Sequence, residues 1–259
     1  MNSLRYQLNL FFIALGFLSR IPIPRWIEFS QDNLNRASRY FPLVGWLIGL
    51  ICALVYLAGS QIFSTEIAVL LSMIFGVFLT GCFHEDGLAD TCDGLGGGWT
   101  VRQKLQIMKD SRIGTYGAIG LWSILTLKFA SLTQLNNPFI AILIAHPLSR
   151  VMPTILTALL PYVTEESDSK VKPLAESIRM SDAVFAMLTG AAALLLVSKQ
   201  AAAIVVLLII IAILARLFLR KQIGGFTGDA LGATQQVSEV GIYLVLLVIP
   251  TVSLAGAAG

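Results

Sequence analysis

The stretch HEDGLADTCDGLGGG, residues 84–98, gathers carboxylates directly after an apolar run. Asp86, Asp90 and Asp93 are spaced i, i+4, i+7, which places them within about 60° on one side of a helix. Like charges held so close together need a cation or a basic partner, and a set of carboxylates suits a hard cation such as Mg²⁺. The spacing therefore predicts a Mg²⁺ site. The opposing interpretation is a solvated acidic loop at the end of a membrane span.

The neighbours of these aspartates differ in what they can do. Glu85 points about 100° away from Asp86 on a helix and is less suited as a ligand. Gly87 and the glycines at 94 and 96–98 leave bare backbone that a phosphate can approach closely. His84 stays open between a general base and an interfacial histidine that is hydrogen-bonded to a loop carbonyl.

A second candidate element is IMKDSRIGTYG, residues 107–117. Lys109 and Arg112 are three residues apart and share one face if the segment is helical. With Ser111 beside them and a new apolar span starting nearby, they could clamp an oxyanion or a phosphate at a helix N-terminus. Ordinary anchoring of the span by basic residues is the alternative, and adjacency to the acidic stretch favours the clamp.

The third element is the glycine-dense segment GGFTGDALGA, residues 224–233. Asp229 is a further candidate metal ligand, and Thr227 a candidate phosphate or metal contact. Gly225 and Gly228 are expected to contact the substrate through bare backbone. Together with the acidic stretch, this segment is predicted to form the far wall of one site.

Two basic residues fall inside apolar runs. Arg150, in AHPLSRVMP, is a candidate substrate contact because an intramembrane charge is usually functional. Pro147 and Pro153 bracket it and predict a kink toward a polar cavity. Lys128 lies nearer the end of its run and is expected to snorkel toward the interface.

The composition sets the fold class. The chain has 259 residues, of which 56% are hydrophobic and 13% charged, against roughly 25% charged in soluble domains. Several apolar runs reach the roughly 20 residues that cross a bilayer as a helix. We predict a single all-α domain over 1–259, a polytopic membrane bundle with about seven transmembrane helices and a short N-terminal interfacial or re-entrant helix. A net charge of +3 without a basic and aromatic cluster argues against nucleic-acid binding.

The predicted apolar segments alternate with connections, some of which are long and polar and the others short. The segments are 7–19, 42–60, 66–83, 116–134, 138–160, 182–198, 200–219 and 238–258. The long, polar connections are 20–41, 84–115, 161–181 and 220–237. These hold most of the 18 Lys and Arg residues, so the positive-inside rule places them in the cytoplasm. The prediction is a multi-pass protein of the cell inner membrane whose candidate active-site loops are cytoplasmic.

The three elements, in this order and each beside an apolar span, resemble the cobalamin synthase family, the adenosylcobinamide-GDP ribazoletransferases. The opening FLSRIPIP and the segment RYFPLVGWLIG extend the resemblance over nearly the whole chain. It implies a membrane transferase late in cobalamin biosynthesis, with Mg²⁺ as cofactor. The residues that match the family's motifs are Asp86, Asp90 and Asp93, then Lys109, Asp110 and Arg112, and finally Asp229.

The reaction that the resemblance implies joins adenosylcobinamide-GDP to α-ribazole, or to its 5′-phosphate, and releases GMP. The 5′-hydroxyl attacks the phosphorus attached to cobinamide, Lys109 and Arg112 stabilise the leaving GMP, and a carboxylate or His84 takes the proton. The segment after Tyr162 is left out of the site. The resemblance suggests that family members often carry Arg and Gly there, where this chain has Val163 and Thr164.

Three rival functions are weighed against this one. A phospholipid-type alcohol phosphotransferase would show an Arg shortly after the first acids and two further Asp residues downstream, whereas the acids here finish at Asp93. A Mg²⁺-dependent prenyltransferase also uses aspartates and a diphosphate. A cation-coupled transporter predicts charges throughout the membrane depth, whereas only Lys128 and Arg150 are expected to lie deep. The expected partners are the two substrates and the lipid bilayer, with a homo-oligomer left open.

Overall fold

The computed structural model describes residues 3–164 and 178–249, and within these the chain is helical without a β-strand. Short 3₁₀ turns at Ser38–Tyr40 and Ala192–Val197 adjoin the α-helices. The all-α prediction is confirmed. The α-helices are α1 Ser3–Leu18, α2 Gln31–Ala37, α3 Phe41–Ser60, α4 Thr65–Thr80, α5 Phe83–Gly97, α6 Val101–Met108, α7 Thr115–Gln134, α8 Pro138–Ser149, α9 Val151–Leu159, α10 Met180–Ala191, α11 Ala201–Ile223 and α12 Gly228–Val248.

Five helical stretches in the described part of the chain are long and apolar enough to cross a membrane. They are Gln31–Ser60, Pro138–Leu159, Met180–Val197, Ala201–Ile223 and Gly228–Val248. A sixth is counted if α4 and α5 form one broken span. Helix α7 has 20 residues but is not among them. The prediction of a multi-pass helical membrane protein is confirmed, whereas the predicted count of about seven spans is not.

Helices α3 and α8 pack together closely in the centre of the bundle. A Cβ on Gly45 would lie 2.7 Å from the carbonyl oxygen of His146, and a Cβ on Gly49 would lie 3.0 Å from the His146 Cβ. Glycines four residues apart on one helix face let two backbones approach in a membrane bundle. Val44 and Ile48 are fully buried beside this contact, so the core of the bundle surrounds it.

The chain bends by 85° between α4 and α5. Gly81 ends α4 in the left-handed region at φ 66°, and Cys82 follows at φ 61°. A non-glycine residue at positive φ is uncommon and marks a position fixed by its surroundings. The bend turns α5, with its aspartates, across the bundle.

One predicted boundary is wrong. The segment 220–237 was expected to be a connection, but α12 begins at Gly228 and runs to Val248. Its polar residues are buried at Thr234, Gln235, Gln236, Ser238 and Glu239. Gln235, Gln236 and Glu239 meet polar groups of other helices rather than lipid. The average hydropathy therefore misses the start of this span. Residues 250–258 of the predicted last segment lie outside the described residues.

Candidate functional site

A pocket of about 320 Å³ opens where the ends of α1, α5, α6 and α12 meet the segment after α9. It contains one charged residue from each of the three sequence elements, namely Asp86, Lys109 and Asp229. The three elements therefore converge on one pocket, as predicted. The lining consists of Phe17, Phe83, Asp86, Leu105, Met108, Lys109, Tyr162, Val163, Thr164, Thr227, Gly228 and Asp229.

The two parts of the pocket that carry Asp86 and Asp229 meet through a close backbone contact between α5 and α12. A Cβ on Gly87 would lie 2.9 Å from the carbonyl oxygen of Asp229, and a Cβ on Gly232 would lie 3.6 Å from the Gly87 Cα. Only a residue without a side chain fits at position 87 without moving one of the helices. The contact places Asp86 beside Asp229, and Asp90 lies within electrostatic range of both.

These acids fit Mg²⁺ only in part. In the described ranges, no three His, Cys, Asp or Glu side chains are assembled closely enough to hold a metal ion by themselves. The four predicted ligands Asp86, Asp90, Asp93 and Asp229 are thus not a ready-made set. Mg²⁺ is usually bound by one or two carboxylates together with substrate phosphates and water. Asp86 and Asp229 line the pocket and Asp90 lies nearby, so these residues fit an ion that binds together with a phosphate.

Asp93 faces a different neighbour. Its buried carboxylate accepts the backbone N–H of Gly114 at 2.7 Å and that of Gly117 at 2.8 Å, at the N-terminus of α7. A carboxylate at a helix N-terminus satisfies free N–H groups and interacts favourably with the helix dipole. The helical projection placed Asp93 on the same side as Asp86, but seven residues also advance about 10 Å along the axis. The structure therefore places Asp93 against α7 and not in the lining of the pocket.

The second element contributes one of its two basic residues. Helix α6 ends at Met108 and α7 begins at Thr115, so Lys109 and Arg112 do not share a helix face as predicted. The guanidinium of Arg112 is bound to Asp110 at 2.7 Å and its side chain is 88% exposed. The hydrogen bonds from Arg112 lower the pKa of the Asp110 carboxyl.

Lys109 is therefore the basic side chain of this element that lines the pocket. Arg112, Asp110 and Ser111 are not in the lining of the pocket as described, which contradicts the predicted two-residue clamp.

The glycines of the third element serve a backbone connection. Gly224 ends α11 in the left-handed region at φ 83°, and a Cβ on Gly225 would collide with the carbonyl oxygen of Pro161. The N–H of Phe226 donates to Pro161 at 2.9 Å, and the N–H of Val163 donates to the Phe226 carbonyl at 2.9 Å. Gly225 thus makes room for a segment that was left out of the predicted site.

That segment, Tyr162, Val163 and Thr164, lines the pocket. The sequence gives no sign of this position, because it depends on a backbone bridge and not on a motif. Thr227 also has a structural task, since its hydroxyl accepts the N–H of Ala230 at 3.1 Å and caps α12. The N-terminus of this 21-residue helix meets the pocket at Gly228. Free N–H groups there favour an anion.

Known proteins are similar to the chain over nearly its whole length. The family model for cobalamin-5-phosphate synthase matches residues 10–247. The chain belongs to this family. A Shewanella frigidimarina protein named adenosylcobinamide-GDP ribazoletransferase is 51% identical over 249 residues, covering 94% of this chain and 95% of its own length.

Proteins of the same name from two further bacteria are similar over comparable lengths. The one from Shewanella piezotolerans is 49% identical and covers 96% of this chain and 98% of its own length. The one from Vibrio cholerae is 47% identical, with coverages of 94% and 95%. No solved structure matches the chain.

In this member of the cobalamin-5-phosphate synthase family, His84 and Arg150 lie below the pocket. They are 3% and 2% exposed and share the lining of a small cavity with Gly228 and Leu231. Neither is in the described lining of the pocket itself. Arg150 lies between α8 and α9, which fits the predicted kink, and donates to the carbonyl oxygen of His146 at 3.0 Å.

A layer of buried polar side chains lies deeper still. Lys128 forms an ion pair with Glu239 and is 7% exposed, so the expectation that it snorkels is wrong. Glu239 also accepts the Tyr243 hydroxyl at 3.1 Å, and Gln236 donates to Glu85 at 2.9 Å. Sequence reasoning missed Glu239 because it was placed at the edge of a predicted connection. An acidic residue 11 positions into α12 was the available signal.

Proposed function

We propose that this chain joins adenosylcobinamide-GDP to α-ribazole, or to its 5′-phosphate, and releases GMP as a late step of cobalamin assembly. The observation that carries the proposal is the pocket in which Asp86, Asp229, Lys109 and the N-terminus of α12 meet. Acids for a divalent cation, a lysine and free helix N–H groups are the parts needed to bind a diphosphate. The names of the similar bacterial proteins support the same reaction.

In the proposed reaction, the 5′-oxygen of α-ribazole forms a bond to the phosphorus attached to cobinamide. The bond from that phosphorus to the bridging oxygen breaks, and GMP leaves with the oxygen. Bound Mg²⁺ would neutralise the charge of the diphosphate. Asp86, Asp90 and Asp229 would hold the ion. Lys109 would stabilise the negative charge of the leaving GMP, and the N–H groups at Gly228 would orient a phosphate oxygen.

The proton of the attacking hydroxyl needs an acceptor in the pocket. Asp86 and Asp229 line it, whereas His84 lies in the layer below. A general base must be within hydrogen-bond reach of the proton, directly or through one water. We therefore propose that one of these two carboxylates, rather than His84, accepts the proton.

The proposal includes a location. Most of the basic residues fall in the connections on the side of the pocket, so the positive-inside rule places the pocket at the cytoplasmic face of the inner membrane. Adenosylcobinamide-GDP and α-ribazole would reach the pocket from that face.

The test is GMP release by the purified protein in lipid with both substrates, with and without Mg²⁺. We expect GMP only when both substrates and Mg²⁺ are present, and loss of GMP after chelation with EDTA. Asp229→Asn should lower turnover on the order of 10²-fold or more. The control Asp32→Asn, at an exposed position of α2 outside the described lining, should retain it. Absence of GMP in the wild type, or equal turnover after EDTA treatment, would contradict the proposal.

A further inference from the structure

The pocket has an aromatic wall that the three sequence elements do not explain. We define this wall as Phe17, Phe83 and Tyr162, all of which line the pocket. The rings of Phe17 and Phe83 meet edge to face, with centroids 5.0 Å apart. Such pairs hold both rings in a defined orientation.

The wall is supported from behind. Phe17 stacks on Phe41 at 5.8 Å with an interplanar angle of 5°. Tyr162 meets the fully buried ring of Phe226 at 5.6 Å. Leu105 and Met108 of α6 complete the apolar part of the lining. The wall is therefore a prepared surface and not a set of mobile side chains.

The pocket thus combines an apolar aromatic part with a charged part formed by Asp86, Lys109 and Asp229. At about 320 Å³, it is near the lower end of the range for small-molecule sites, roughly 300–1,000 Å³. A ligand of nucleoside size with a flat apolar ring at one end and a hydroxyl or phosphate at the other matches both its volume and its chemistry. A corrin ring is too large to enter.

Of the flat bases in the proposed reaction, adenine is attached to the corrin, whereas guanine and dimethylbenzimidazole belong to the two groups that exchange at the phosphorus. The wall discriminates between these last two. Guanine carries an amide and an amine, which cost free energy when buried without hydrogen-bond partners. Apart from the three charged side chains, the described lining offers the hydroxyls of Tyr162, Thr164 and Thr227, and that of Thr227 already accepts the N–H of Ala230. The dimethylbenzimidazole of α-ribazole has no N–H or exocyclic polar group and carries two methyl groups that gain from burial.

We propose that Phe17, Phe83 and Tyr162 bind the dimethylbenzimidazole ring of α-ribazole, with its 5′-hydroxyl directed toward Asp86 and Asp229. This inference rests on the proposed function and adds the residues that select the base. Selection is by ring shape and apolar area, so planar bases that lack polar edges bind better than those that carry an amine.

The first test uses the wild-type protein in lipid and needs no turnover. Binding of α-ribazole is measured through the fluorescence of its own base and is compared with binding of the riboside of unsubstituted benzimidazole. Loss of two buried methyl groups should weaken binding about 15-fold. The α-riboside of adenine should bind more weakly still. Equal binding of the three ribosides would overturn the assignment.

The second test uses Phe83→Leu and Phe17→Leu, which keep an apolar side chain and remove the ring. Each should raise the KM for α-ribazole about 3- to 10-fold, the range of an aromatic contact, and leave the KM for adenosylcobinamide-GDP unchanged. The matched control is Phe29→Leu, because Phe29 is 69% exposed and lies outside the described lining.

The outcomes separate this inference from the proposed function. A rise in the KM for adenosylcobinamide-GDP alone would assign the wall to guanine or to the corrinoid and overturn the inference, while the function stands. If the wild type released no GMP but bound α-ribazole with the expected dependence on the methyl groups, the wall assignment would hold and the proposed reaction would fall. If the leucine variants did not fold, the comparison of the three ribosides with the wild type would still decide.

Discussion

Asp93 should behave differently from Asp86 and Asp90, although all three belong to one helical repeat. We consider the substitution of each by Asn, which keeps the shape of the side chain and removes the charge. Asp93 accepts two backbone N–H groups at the start of α7, whereas Asp86 lines the pocket. The three substitutions therefore remove different interactions.

The magnitude for Asp93→Asn follows from the two hydrogen bonds to Gly114 and Gly117. A hydrogen bond to a charged group contributes about 1.5–3 kcal/mol. The amide can accept one N–H with its oxygen, but its NH₂ group would face the second N–H. One bond is then lost, the other becomes neutral, and a buried donor stays unsatisfied. We expect a loss of about 2–5 kcal/mol in the free energy of unfolding.

Asp86→Asn and Asp90→Asn should have the opposite profile. Each removes one charge from a group of neighbouring carboxylates, which relieves repulsion. The stability of the protein without Mg²⁺ should be unchanged or higher, while turnover falls on the order of 10²-fold or more. Excess Mg²⁺ should restore part of this turnover, but it should not restore Asp93→Asn.

The assay combines thermal unfolding in detergent without Mg²⁺ with GMP release over a Mg²⁺ titration. Asp32→Asn is the control, because Asp32 is exposed on α2 and lies outside the described lining of the pocket, so its substitution should leave both measurements nearly unchanged. If Asp93→Asn unfolded at the wild-type temperature and needed more Mg²⁺ for turnover, Asp93 would be a metal ligand. The structural role argued from its two hydrogen bonds would then be refuted.

Three further predictions concern packing, the buried layer and topology. Gly87→Ala should lower both stability and turnover, because its Cβ would lie 2.9 Å from a backbone oxygen. In Gly97→Ala the Cβ would meet only a side-chain atom at 3.5 Å, so this control should leave thermal unfolding and GMP release unchanged. Lys128→Met should destabilise the protein by about 3–5 kcal/mol, since it leaves Glu239 buried without its partner. In a double-mutant cycle, adding Glu239→Gln should recover part of this loss. Fully additive effects of the two substitutions would contradict the pairing. A reporter fused after Gly259 should report the non-cytoplasmic side, and a cytoplasmic signal would reverse the proposed orientation.

The sequence was sufficient to predict that the three elements meet. Asp86 and Asp229 are more than 100 residues apart in the chain, and Lys109 lies between them. Each of the three elements adjoins an apolar run, and the ends of such runs meet on one side of a membrane bundle. The prediction failed where it used an assumed secondary structure. Arg112 was placed beside Lys109 by helical spacing, but the chain between α6 and α7 is not helical, so the two side chains separate.

Backbone contacts account for what the sequence did not show. Tyr162 reaches the pocket because Phe226 accepts the backbone N–H of Val163 and donates its own to the carbonyl of Pro161. No side-chain pattern marks such a bridge. Lys128 and Glu239 were missed as a pair for a related reason. Hydropathy scores each segment alone, whereas a buried charge is tolerated through its partner on another helix.

Helix α5 connects the pocket to the membrane interior through consecutive residues. Asp86 lines the pocket, while Glu85, one position earlier, accepts a hydrogen bond from Gln236 in the buried layer. Asp93 holds the start of α7. The acids of α5 are therefore positioned by contacts on three sides of one helix. The 85° bend at Gly81 turns α5 so that these sides meet different neighbours. Because a helix moves as a unit, we expect loss of the Glu85 contact to displace Asp86 as well, so that the buried layer would act on the pocket through the position of α5.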